Sequence, residues 1–244
     1  IGTVGTAHGN YPAHLHFEMR DTDEVEIGPG YGDSKLNRLD PATGHFEVFR
    51  HDEDDPGSLS YDSVYAVAED QSGHVWIATQ FGLNRLDRAT GRFIRFRHDP
   101  EDADSLAHDY VYDLAIAPDG SIWAATIGGG LSRLRERPQR MERFDLAAAT
   151  GDARHNDVFA VIVSAAGHVW AGTRGGLLRV DPVSGEVRAA ADPGPDDNPV
   201  ITTLAEDPAG RLWMGTLAHG VLVFDPASWS LAQANPAPPG SAGQ

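Results

Sequence analysis

Four tryptophan-centred segments recur along this chain: GHVWIAT around Trp76, GSIWAAT around Trp123, GHVWAGT around Trp170 and GRLWMGT around Trp213, spaced by 47, 47 and 43 residues. In each, a Gly stands three residues before the Trp (Gly73, Gly120, Gly167, Gly210) and a Thr three after it (Thr79, Thr126, Thr173, Thr216). Twelve residues before each Trp comes a β-branched residue (Val64, Val111, Val158, Ile201), followed three positions on by another apolar one (Val67, Leu114, Val161, Leu204). These columns mark an inner strand. After the Trp strand, a Gly-Leu or Gly-Val step at Gly82, Gly130, Gly176 and Gly220 opens a third strand, and a short turn leads to a fourth, as in RFIRFRH from Arg92. Four short strands in each 43 to 47 residues is the period of a β-propeller blade, a unit that cannot bury both faces alone and must stack on neighbours. The repetition has a physical cause at several columns. Gly before the Trp strand suits a tight turn with positive φ, and Trp is large enough to fill the wedge between blades. The small Ala78, Ala125, Gly172 or Gly215 two residues later would let a facing sheet approach.

Upstream, SKLNRLDPATGHFEVFRHDEDDPGSLSYDSV matches GLNRLDRATGRFIRFRHDPEDADSLAHDYV at the same 47-residue offset, which supplies two outer strands without a Trp strand before them. The expected fold is therefore all-β: a β-propeller of four complete four-stranded blades plus a half blade, as a partial ring or one of four to five blades, preceded by a short N-terminal β segment from a different module. The expected boundaries are 1–33 for that segment, 34–233 for the propeller and 234–244 for a flexible tail rich in Pro, Gly and Ala. GTVG and HLHFEMR could stand in for the two strands that the half blade lacks. The chain opens at Ile1 within what reads as a strand, so it is expected to be a piece of a longer protein.

Composition removes several classes of function. With 41% apolar residues in 244, the chain can bury a substantial core. Asp and Glu number 36 against 19 Lys and Arg, a formal charge of −17, so a polyanion such as nucleic acid is repelled. No apolar run reaches the length of a membrane-spanning helix. The absence of Cys eliminates disulfides, thiolate metal sites and Cys nucleophiles together.

The combination of Gly-x-x-Trp-x-[AG]-Thr, Gly-Leu-x-Arg-[LV]-Asp and x-Asp-Pro-x-[DN]-x-x-Ser-Leu resembles the two-component regulator propeller repeat over about residues 34–233. The resemblance implies a periplasmic or extracellular input domain of a bacterial membrane sensor, a hybrid histidine kinase or diguanylate cyclase, that recognises a ligand and passes a signal to an output domain outside this chain. The first thirty-three residues differ: GTVG, AHLHFEMRD and IGPGYG are similar to the C-terminal end of lysostaphin-type zinc endopeptidases. That resemblance implies a catalytic role for His14 and a zinc-ligand role for His16. The family's upstream His-x-x-x-Asp has no counterpart among the thirteen residues before His14, so the remnant is expected to be inactive. Zinc would be a cofactor only if that site were completed, and no other cofactor is expected.

The loop HDEDDPGSLSYD and its repeat HDPEDADSLAHD carry enough carboxylates to suggest calcium. They lack the order of an EF-hand loop and fall where an outer strand crosses to the next inner strand, so a connector is the better reading. Paired columns such as His74 with His168, and His51 with His98, point to structural roles, because a unique site needs residues that break the repeat. The segments that do vary are the loops between the Thr and Gly columns: Gln80-Phe81, Ile127-Gly128-Gly129, Arg174-Gly175 and Leu217-Ala218-His219. Tyr61, His108, His155 and Asn198, three residues before each inner strand, form a second variable set. The expected ligand-binding residues are Gln80, Phe81, Arg174, His219, Tyr61, His108, His155 and Asn198, on one rim of the propeller, facing a sugar, a peptide or an anionic small molecule. A non-catalytic sensor or interaction domain is the favoured reading. The rivals are a zinc endopeptidase built on His14 and His16, and a propeller lyase of the streptogramin-lyase kind, whose acid–base chemistry needs a rim His with a partner.

Overall fold

The computed structural model describes residues 25–27, 36–40, 45–136, 139–190 and 199–233. Two compact units make up the chain, Ile1–Phe96 and Arg97–Gln244. In the first unit, β1 (Val25–Ile27), β2 (Leu36–Asp40) and β3 (His45–Phe49) form an antiparallel three-stranded sheet. A four-stranded meander follows: β4 (Val64–Glu69), β5 (Val75–Thr79), β6 (Gly82–Asp87) and β7 (Arg92–Phe96). The half blade thus gains one strand from the N-terminal segment, with Val25 opposite Arg38 and Ile27 opposite Leu36. GTVG and HLHFEMR lie outside the described residues.

The second unit holds three further meanders, which with the first make four complete four-stranded blades. They are β8 (Val111–Ile116) to β11 (Gln139–Phe144) through β9 (Ile122–Thr126) and β10 (Gly130–Glu136); β12 (Val158–Val163) to β15 (Val187–Ala189) through β13 (Val169–Thr173) and β14 (Gly176–Val180); and β16 (Ile201–Glu206) to β19 (Ser230–Gln233) through β17 (Leu212–Thr216) and β18 (Val221–Asp225). The all-β propeller fold expected from the repeat is what forms. In the crossover from β11 to β12 the structure places α1 (Leu146–Thr150) and a short 3-10 helix, Ala153–Asn156. Asp145 caps the first by accepting from the Ala148 N–H, and Gly151 closes it in the left-handed region at φ 78°.

Each repeated column has a visible job. Gly73, Gly120, Gly167 and Gly210 all sit at φ between 78° and 82°, at the turn into the Trp strand. Each inner strand carries a bulge one residue after its β-branched start, as between Val111 and Asp113. In the second unit β12 lies against both β8 and β16. Trp123 of the first of these blades is buried with Val158, Val161 and Val169 of the next, and Trp170 with Leu212, Met214 and Phe224 of the one after. Trp123 and Trp170 therefore fill the wedges within the second unit, as expected, and a methyl on Gly172 would come within 2.7 Å of Ile201 in the facing blade. Trp213 differs, at 38% exposure.

The ring that lies beside the buried Trp of each blade comes from two different places. Phe96 is 5.6 Å from Trp76 and Phe144 is 5.0 Å from Trp123, both from the fourth strand of the same blade. The matching position of the next blade is Ala190, whose N–H donates to Leu177. There the ring is Trp229, 5.9 Å from Trp170 and edge-on to Phe224 at 5.3 Å. Trp229 occupies the turn position held elsewhere by Gly91 and Gly185, and it adopts their left-handed backbone with φ 54°. Arg179 and Arg188 place guanidinium carbons 5.2 Å and 3.8 Å from its ring.

Two of the Trp side chains are anchored by a carboxylate six residues earlier. The Trp76 indole N–H donates to Asp70 at 2.8 Å and that of Trp213 to Asp207 at 3.0 Å. Burial works to raise the Asp70 pKa, but hydrogen bonds from the Trp76 indole and from His74 and Ser72 outweigh it and hold the carboxyl below its usual range. A depressed carboxyl contributes stability above its unfolded pKa and loses it as pH falls through the folded value. Asp70→Ala is therefore expected to cost about 2–3 kcal/mol at neutral pH, since it orphans a buried indole N–H. Urea unfolding of wild type and variant should show this gap at pH 7 and a narrower one in acid; a gap that widens in acid would contradict the assignment.

Candidate functional site

The rim loops owe their frame to the Thr column. Thr79, Thr126, Thr173 and Thr216 each donate a hydroxyl to the carbonyl of the Gly that opens the third strand, at 2.8–2.9 Å. Three of these hydroxyls also accept an N–H from the loop itself, from Phe81, Gly175 and His219. One bond pattern thus spans loops of two or three residues, and the side chains between are left to vary.

The two variable sets predicted from sequence meet blade by blade. In the first unit, Tyr61 lies 4.7 Å from Phe81, which is 41% exposed, and 6.3 Å from His51, while Gln80 donates its N–H to Ser63. In the second unit, His108 lies over Gly129, where an added methyl would come within 2.7 Å of the His108 Cβ. Its ring stacks 6.5 Å from His98, and its Nδ1 accepts the Tyr110 N–H at 3.1 Å. Arg174 is exposed; its N–H donates to the Asp157 carbonyl and its guanidinium reaches the Asp157 carboxylate at 3.5 Å. His219 is exposed on the last loop. Asn198, His14 and His16 lie outside the described residues.

His155 corrects the expectation. It is buried at 6% exposure, its Nδ1 bonds the Thr150 hydroxyl at 2.7 Å, and its Nε2 faces the Gly175 carbonyl at 3.1 Å. Both ring nitrogens are engaged by the fold, so His155 offers nothing to a ligand. The cause is the helical excursion Leu146–Thr150, which brings Thr150 over the ring. The variable loop explains the rest: its Gly175 leaves the space that the imidazole fills, with a methyl there only 2.4 Å from His155 Cδ2.

Sequence reasoning missed the residues on the inner-strand bulges. Tyr112 of β8 and Phe159 of β12 meet edge to face at 5.4 Å, and Tyr110 stands 6.3 Å from Tyr112. Tyr65 occupies the same position in the first unit, and Thr202 in the last blade. The signal was available as an aromatic one residue after the β-branched column.

The acidic loops behave as connectors held by arginine. Arg143 of β11 donates to the carbonyls of Asp99, Asp102 and Ser105 and to the Ser105 hydroxyl. Arg95 of β7 likewise binds the carbonyls of Asp55, Ser58 and Leu59. A guanidinium occupies the position where converging carbonyls would otherwise attract a cation. Among the described residues, no three His, Asp or Glu side chains gather as a metal site.

The sequence model of the family "two component regulator propeller" matches residues 58–81 and 194–218. Both matched segments fall outside residues 1–33. No curated protein sequence matches significantly. Among solved structures, the extracellular domain described as that of hybrid two component system BT3049 from B. thetaiotaomicron superposes with a TM-score of 0.66 at 21% identity, over 87% of this chain and 28% of that one. The corresponding domain of BT4673 from the same organism gives 0.66 at 15% identity, over 90% and 28%. Virginiamycin B lyase from Staphylococcus aureus, as an inactive H270A form with quinupristin, gives 0.63 at 14% identity, over 90% and 78%. The chain thus spans under a third of the length of the two sensor domains it matches. At these identities the likeness is one of fold. The chain is a β-propeller domain that resembles the extracellular domains of two-component sensors.

Proposed function

We propose that this propeller is a non-catalytic ligand-sensing or interaction domain that works outside the cytoplasm and reports to an output module beyond this chain. The observation that carries the reading is the contrast along the rim. The Thr and Gly columns repeat the same frame in every blade, while the side chains mounted on it do not repeat: Tyr61, Gln80 and Phe81 in the first unit, His108, Arg174 and His219 in the second. Within the second unit, the imidazole of His108 and the guanidinium of Arg174 suit a small molecule, glycan or peptide that carries hydroxyl or acidic groups. The resemblance to extracellular sensor domains supports the location and the partner class.

The test is thermal unfolding and calorimetric titration of the full chain with neutral and acidic oligosaccharides and short peptides. One class is expected to raise the melting temperature, with His108→Ala or Arg174→Ala weakening binding about tenfold, which corresponds to about 1.4 kcal/mol. If no class binds, or if binding ignores both substitutions, the rim reading fails. Opening of quinupristin on incubation with the chain would replace it with a lyase.

A further inference from the structure

Asp113 breaks the inner-strand repeat. The same position carries Ala66, Ala160 and Thr203 in the other blades, all unable to hold a charge. Asp113 follows the bulge residue Tyr112, and its carboxylate joins two blades. One oxygen accepts the N–H of Leu114 on its own strand β8 at 2.8 Å, and the other accepts the N–H of Val161 on β12 at 2.8 Å. One residue back along β8, Tyr112 makes its edge-to-face contact with Phe159 of the same facing strand. The carboxylate bond and the ring contact thus lie side by side across one seam.

We propose that Asp113 is an acid-sensitive clasp between the inner strands of the two blades built on β8 and β12. As a carboxylate it has an acceptor for each N–H. As a neutral carboxyl it carries an O–H on one oxygen, and that oxygen becomes a poorer, uncharged acceptor, so one of the two bonds is weakened. Protonation on the oxygen that faces Val161 loosens the seam beside Tyr112 and Phe159 on the β12 side. The surroundings favour protonation within an accessible range. The strands against β8 are β9, reading IWAAT, and β12, reading VFAVIV, and neither carries a titratable side chain. On β8 itself the neighbour is Tyr112, with Tyr110 just before the strand. Burial, opposed only by the two N–H bonds, pushes the Asp113 pKa up to about 6.

The sign of the stability effect follows from linkage. A carboxyl whose folded pKa exceeds its unfolded value of about 3.9 binds its proton more readily when folded, so its contribution to stability grows as pH falls from above 6 toward 4. Acid therefore stabilises this site globally while it weakens one of the two Asp113 bonds locally, and the two effects can be read separately.

The experiment is an amide NMR titration of the full chain from neutral to mildly acid pH, with Asp113→Asn alongside. The Val161 and Leu114 amide protons are expected to move with one shared midpoint in the wild type, and the movement should vanish in the variant. In parallel, the difference in urea midpoint between wild type and variant should drift with pH over the same range, toward the wild type in acid. Amide shifts that do not titrate would overturn the clasp, and so would a midpoint shared with an amide far from β8 and β12. Should Asp113→Asn fail to fold, the wild-type amide titration decides alone. None of these readouts depends on a ligand.

Discussion

Replacing Trp229 by Gly is expected to destabilise the second unit by about 2 kcal/mol, even though it restores the residue that the repeat has at this turn. Two effects oppose each other. Removing a large aromatic from a packed site costs about 3–5 kcal/mol when it is fully buried, and somewhat less here because Trp229 is only half-buried. Gly relieves a left-handed backbone at φ 54°, which returns about 1–2 kcal/mol. The packing wins because Trp229 is the ring beside Trp170 in a wedge whose own fourth strand offers only Ala190.

The same argument predicts a compensating pair. Ala190→Phe alone should overpack the wedge, at a cost of about 1–3 kcal/mol. Combined with Trp229→Gly it should recreate the arrangement of Phe144 against Trp123, and the double variant should be more stable than the two single costs add up to, by about 1 kcal/mol or more. Guanidinium unfolding of the four proteins measures the cycle. Simple additivity would mean that Phe in the fourth strand and Trp in the turn are not alternatives for one space.

Arg143→Met should produce the second large effect, a loss of about 2–3 kcal/mol together with faster proteolysis between Asp99 and Ser105. Met keeps much of the apolar stem but none of the donors, so the three loop carbonyls and the Ser105 hydroxyl lose the cation that gathers them. Lys at this position should rescue little, because a single ammonium cannot reproduce a planar fork aimed at several acceptors. Wild-type stability should be indifferent to millimolar calcium or to a chelator. A rise in melting temperature with calcium would show that the carbonyls serve an ion and not the guanidinium.

The blades were legible in the sequence because each repeated column answers a local demand. Gly73 and its equivalents need positive φ, the Thr column must close a loop, and the Trp column must fill a wedge, so each leaves the same residue at the same spacing. The candidate rim positions were chosen by the opposite logic, as places where the pattern lapses; the structure sets Tyr61 beside Phe81 and His108 over Gly129. His155 shows the limit of that logic. A break in a repeat can serve the fold as well as a ligand, and what separated the two was Thr150, delivered by an Ala-rich helical turn that strand periodicity does not register.

Trp229 and Ala190 make the same point through packing. Each alone reads as an ordinary lapse, one in a turn and one in an outer strand, and they lie about forty residues apart. The chain by itself determined the strand order, the turn geometry and the residue types at each wedge, because those depend on neighbours within a blade. Tertiary structure alone decided which ring enters which wedge, which backbone N–H meets Asp113 and which histidine is held inside. Those choices depend on the stacking of one sheet on the next, and spacing along the chain carries no record of it.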